Sequence, residues 1–166
     1  MGLFSFLKNA GAKVFGNDND EAAAKAAAAK SAAEAEMLER KRGVALRAVV
    51  DATGIPVENM DLNVEGDKVT VYGQVQKQEY KEKLILALGN VEGIATVDDR
   101  LSVTAASSEP EAQFYEVQKG DSLSKIAKEF YGNAMKYPVI FEANKPMLKD
   151  PDKIYPGQKL RIPAQA

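Results

Sequence analysis

The 166-residue chain contains no cysteine and no histidine. Their absence excludes disulfides, thiolate nucleophiles, imidazole acid-base catalysis and the usual zinc, copper and haem ligands, so any bound ion must be held by oxygen. Neither sign of charge is in excess: 22 basic and 24 acidic residues leave a formal charge of -2, with no electrostatic reason to expect nucleic acid or another polyanion as partner. No run comes near the roughly 20 apolar residues of a membrane span. The opening stretch "MGLFSFLKNAGAKVFG" has no early basic residue and is interrupted by Lys8 and Lys13, unlike a secretory signal. These absences predict a soluble, cytoplasmic protein that is not exported.

What is present divides the chain. Over residues 3–15, Leu3, Phe4, Leu7, Ala10, Val14 and Phe15 recur at three- and four-residue steps, which predicts an amphipathic helix across residues 1–16, broken or capped at Gly11 and docked on the protein's own core. Residues 17–36 are alanine-rich, with Asp18, Asn19 and Asp20 as N-caps and Glu21 to Lys25 and Glu36 to Arg40 as i,i+4 pairs; they predict a solvated helical spacer carrying no site.

Over residues 37–104 a helix with Leu38, Leu46, Val49 and Val50 on one face ends at "TGIP". Two alternating strands around "GDK", a second helix ending at Gly89-Asn90 and a third strand, "GIATVDDRLSV", follow. Residues 105–113 are a polar, small-residue linker. From residue 114 to 166 the pattern is strand, helix, helix, strand. Asp121 or Ser122 caps the first helix, Gly132 stops it, Pro138 falls within the first turn of the second, and Pro156-Gly157 suits a type II turn. The fold class is α+β, with two small domains behind the N-terminal helix and spacer.

The order helix, strand, strand, helix, strand, with Gly73 closing "VTVYGQV" and the turn "VEGI" leading to "VDD", resembles the BON domain. "YEVQKGDSLSKIAKEFYG", "IFEANK" and "IYPGQKLRIP" resemble a LysM domain over residues 114–163. That resemblance implies a groove for N-acetylglucosamine polymers at Gly120, Asp121, Ser122, Tyr155 and Gly157, with Tyr155 as the stacking ring. The alternative is that Asp121 and Ser122 only cap a helix and Tyr155 only packs, which is the expectation for a chain that does not meet the cell wall. Every segment is taken by a spacer or a small binding module, so no catalytic domain and no enzyme activity is expected.

The pair of domains behind this N-terminal stretch resembles the small cytoplasmic potassium-binding proteins of Gram-negative bacteria. The resemblance implies a monomer that binds K+ and senses or buffers it. The composition suits that ion: selective potassium sites replace its water with neutral carbonyl oxygens, and helix C-termini present such carbonyls with the negative end of the macrodipole. The expected ligands are carbonyls of Leu7, Ala10 and Ala12 at the "LKNAGA" break and of Gly89, Asn90 and Val91 at the "ALGNVEGI" break. The competing assignments are a peptidoglycan-binding or envelope-associated adaptor, and a membrane-surface scaffold using the N-terminal helix.

Overall fold

The computed structural model describes residues 2–8, 11, 32–105 and 110–164. The chain opens with a strand, β1 (Gly2–Ser5), and not with the expected helix. Over residues 3–7 the apolar residues satisfy a second periodicity: Phe4 and Phe6 join the core while Leu3 and Leu7 are exposed, which is the alternation of a strand. What decides between the two is tertiary. The third strand of the BON-like half would otherwise present an unpaired edge, and β1 fills it. The remainder of the expected helix, at residues 9, 10 and 12–16, lies outside the described residues, as does the alanine-rich segment up to residue 31.

Helix α1 (Ala32–Ala52) buries Leu46 and Val50. It ends where the Thr53 hydroxyl donates to the Val50 carbonyl at 2.6 Å and Gly54 turns left-handed. The hairpin β2 (Glu58–Glu65) and β3 (Lys68–Val75) follows. Helix α2 (Gln78–Gly89) then crosses over to β4 (Thr96–Val103), which pairs with β3 in parallel from Lys68↔Thr96 to Val75↔Val103. With β1 antiparallel on its other side, from Gly2↔Asp99 to Ser5↔Thr96, β4 is an inner strand of a four-stranded sheet ordered β1-β4-β3-β2. One face of that sheet, carrying Phe4, Val64, Val69, Val71, Val97 and Leu101, packs against Leu46, Val50, Leu84, Ile85 and Leu88 of the helices.

The second half is smaller. Strands β5 (Gln113–Glu116) and β6 (Lys159–Ile162) pair antiparallel beneath α3 (Leu123–Tyr131), a 3-10 turn (Ala134–Lys136) and α4 (Tyr137–Ala143). The two candidate caps divide the work. Ser122 accepts the Lys125 amide as the N-cap of α3, while Asp121 accepts the Tyr115 hydroxyl at 2.7 Å and the Gln118 amide at 2.8 Å. Gly132 ends α3 at φ 69°, Pro138 falls in the first turn of α4, and Gly157 takes φ 86° in the closing turn. The two cores meet along α2 and β6, where Met147 touches both and Phe4 meets Phe114 edge-on at 5.4 Å.

Candidate cation site at the domain junction

At the end of α2 the Asn90 amide donates back to Leu86 at 3.0 Å, and the Val91 carbonyl accepts from Ile94 at 3.2 Å. Among the described residues no backbone amide beyond the helix donates to the carbonyls of Gly89 or Asn90. The last turn of α2 carries no basic residue, so nothing on the helix itself offsets its negative end.

The N-terminal segment runs directly past this terminus. The Phe6 amide donates to the Ala95 carbonyl and the Lys8 carbonyl accepts from Gly93, each at 2.7 Å, so the pairing of β1 continues to residue 8. Because backbone groups alternate sides along an antiparallel strand, the carbonyls of Ser5 and Leu7 face its open edge. Two glycines make the approach possible. The Phe6 ring lies over Gly89 so closely that a β-carbon there would stand 2.0 to 2.2 Å from three ring atoms. Gly11, at φ 142°, would place a β-carbon 2.0 Å from the Asn90 carbonyl oxygen.

The structure therefore brings Leu7, Gly89, Asn90 and Val91 into one neighbourhood, while Ala10 and Ala12 lie outside the described residues on either side of Gly11. No group of three or more carboxylates that could hold a metal occurs among the described residues. Lys8 pairs with Asp67 at 3.4 Å.

Sequence reasoning missed the side chain of Asn90 and everything it reaches. Its Oδ1 accepts the Lys159 amide at 2.9 Å, and its Nδ2 donates to the Lys159 carbonyl at 2.8 Å. Asn144, the C-cap of α4, grips Arg161 in the same way at 2.7 and 2.8 Å. Two helix-capping asparagines, one from each half, thus serve as single-residue strand partners for the outer edge of β6. The Lys159 ammonium, in turn, donates to the Ser5 carbonyl and stands 5.2 Å from the centroid of the Phe6 ring. Beside it the buried Arg161 meets Glu82 of α2 at 2.5 Å, and Glu82 also accepts the Ala112 amide and the Gln78 side chain. Apart from Gln78 with Glu82, these pairings join residues 17 to 154 positions apart and leave no local signal in the sequence.

Residues 43–105 match the family model of the BON domain, and residues 115–163 that of the LysM domain. The chain is 43% identical over 171 residues to the potassium binding protein Kbp of Escherichia coli O6:H1 (strain CFT073), an alignment covering 99% of this chain and 100% of Kbp. The chain belongs to the Kbp family. Shorter matches are 55% identity over 49 residues to an uncharacterized protein of Deinococcus radiodurans, covering 30% of this chain and 19% of that one, and 40% over 58 residues to the uncharacterized protein YqbP of Bacillus subtilis, covering 30% and 26%.

In this member of the Kbp family the residues expected to form a glycan groove lie on the turn after β5 and on the closing turn before β6. The Gly157 amide donates to the Val117 carbonyl at 2.8 Å, which sets the closing turn beside the loop that holds Gly120 to Ser122. Ser122 is engaged as the N-cap of α3 and Asp121 in accepting from Tyr115 and Gln118, while Gly120 is open, with nothing within 4 Å of a β-carbon built on it. Tyr155 is half-buried, and burial pushes its phenol up to about 12. The Tyr115 phenol is also pushed up to about 12, first by its hydrogen bond to the Asp121 carboxylate. No helix among the described residues is long and apolar enough to cross a membrane.

Proposed function

We propose that this Kbp relative binds a potassium ion through main-chain carbonyls at the seam between the N-terminal segment and the end of α2, and that it senses or buffers potassium in the cytoplasm. The observation that carries the reading is the close packing of Gly11 on the Asn90 carbonyl, which puts the two chain breaks face to face. Neutral carbonyls at a helix C-terminus suit a large, weakly hydrated monovalent cation, whereas magnesium or calcium would call for carboxylates. The 43% identity to a potassium binding protein over the whole chain supports the choice of ion. Leu7, Ala10, Ala12, Gly89, Asn90 and Val91 are the proposed ligands.

The test is calorimetric titration of the metal-free chain with potassium, sodium, magnesium and calcium chlorides, repeated on a variant lacking residues 1–12. Saturable heat is expected with potassium and not with the divalent ions. The truncated variant should lose that heat while its circular dichroism still shows folded domains. Equal potassium binding by the truncated chain would remove the N-terminal half of the site from the mechanism. A second reading, peptidoglycan binding by an envelope-associated adaptor, is favoured by the LysM match and by the open Gly120 turn.

A further inference from the structure

The side chain at the junction that the proposed site does not use is Lys159. Its ammonium sits on a backbone carbonyl and beside an aromatic face, the two neutral surfaces that ammonium and potassium ions both accept. It arrives there from the LysM-like half, on the strand whose edge Asn90 holds at 2.8 and 2.9 Å. Asn90 therefore touches Lys159 through its side chain while its own carbonyl faces Gly11. The Ser5 carbonyl that takes the ammonium lies on the same open edge as the Leu7 carbonyl, two residues or about 7 Å along the strand. Among the described residues no carboxylate forms an ion pair with Lys159; the acidic residue nearest in register is its cross-strand partner Glu116 on β5.

We infer that Lys159 is a built-in rival of the bound cation: its ammonium, delivered by one domain onto the N-terminal strand of the other, lowers and thereby sets the affinity of the neighbouring carbonyls for a monovalent cation. The inference rests on the potassium reading above and adds the residue that tunes it. Two unit positive charges about 7 Å apart at a partly hydrated surface repel enough to weaken binding on the order of three- to tenfold. The clasp of Asn90 and Asn144 on the β6 edge fixes the backbone from which the side chain extends, and the Ser5 carbonyl and the Phe6 ring hold the ammonium itself. A charge at this position also acts more strongly at low ionic strength, since the Debye length at about 0.15 M salt is close to the separation.

The experiment is potassium chloride titration of the full chain and of Lys159→Gln and Lys159→Arg, run at a low and at a high ionic strength, each held constant by tetramethylammonium chloride. Glutamine can still donate to the Ser5 carbonyl but carries no charge; arginine keeps the charge. Lys159→Gln is expected to bind potassium three- to tenfold more tightly than the parent, with the gain shrinking at high ionic strength, and Lys159→Arg to stay near the parent. Parent-like or weaker binding by Lys159→Gln would overturn the inference, because the lysine would then be a strut for β1 and not a rival charge. Absence of any potassium heat from the parent would overturn the potassium reading itself, so the two failures are separable within one data set.

Discussion

A single hydrogen atom at position 89 admits the Phe6 ring to the end of α2, and through it the whole N-terminal segment to the sheet. A methyl group there would meet ring atoms at 2.0 to 2.2 Å, so the ring must leave or the helix end must shift. Gly89→Ala is therefore expected to destabilise the protein by about 1–3 kcal/mol, the usual cost of forcing extra volume into a packed site. The loss should be uneven. Amide exchange should accelerate in residues 2–8, while the amides of β3 and α1 stay protected; unchanged protection of residues 2–8 would show that Phe6 does not anchor the strand. The two glycines differ in how far the sequence revealed them. Gly11 was legible as a break because it interrupts an apolar pattern. In "ALGN" the third residue reads as an ordinary helix stop, since the ring it accommodates comes from a residue 83 positions earlier.

Among the elements, those with their own punctuation were legible: α1 ends at a glycine turn, the β2–β3 hairpin turns at Gly66, and α3 runs from Ser122 to Gly132. Before its break at Gly11 the N-terminal segment had no such signs. Its few apolar residues fit a helix and a strand equally, and the vacant edge of β4 that selects the strand is a property of the assembled sheet. The edge of β6 makes the same point. Both residues on it are satisfied by asparagine side chains from helix ends, a pairing that neither helix nor strand announces. Asn144 is the more demanding case, because the Arg161 backbone it completes is buried, whereas Lys159 is partly in water. Asn144→Ala should cost about 2–4 kcal/mol by leaving a buried amide and carbonyl without partners, and Asn90→Ala about 1 kcal/mol because water can replace its contacts. Denaturant melts of the two variants check this order; equal losses would mean that burial does not set the cost.

At the scale of the molecule, the proposed site borders the LysM-like half at Lys159, so its surroundings depend on how the two halves are held together. The strongest tie is the contact of Glu82 on α2 with Arg161 on β6, 2.5 Å apart and buried, reinforced by the Ala112 amide of the connecting segment. Breaking such a pair on one side costs more than removing both charges, since the survivor is left buried without its counter-charge. Glu82→Gln strands the guanidinium, and Arg161→Met strands the carboxylate. Each is expected to weaken domain docking by about 3–5 kcal/mol, and the double variant by much less, because two neutral side chains leave no charge to desolvate. Because the pair joins α2 of one half to β6 of the other, the loss should fall on their association. Scanning calorimetry should then show one thermal transition for the parent and two for either single variant. The double variant should move back towards one. A single transition at the parent temperature in Glu82→Gln would show that the apolar contacts of Met147 and of Phe4 with Phe114 hold the halves together, and that the ion pair sets only their orientation.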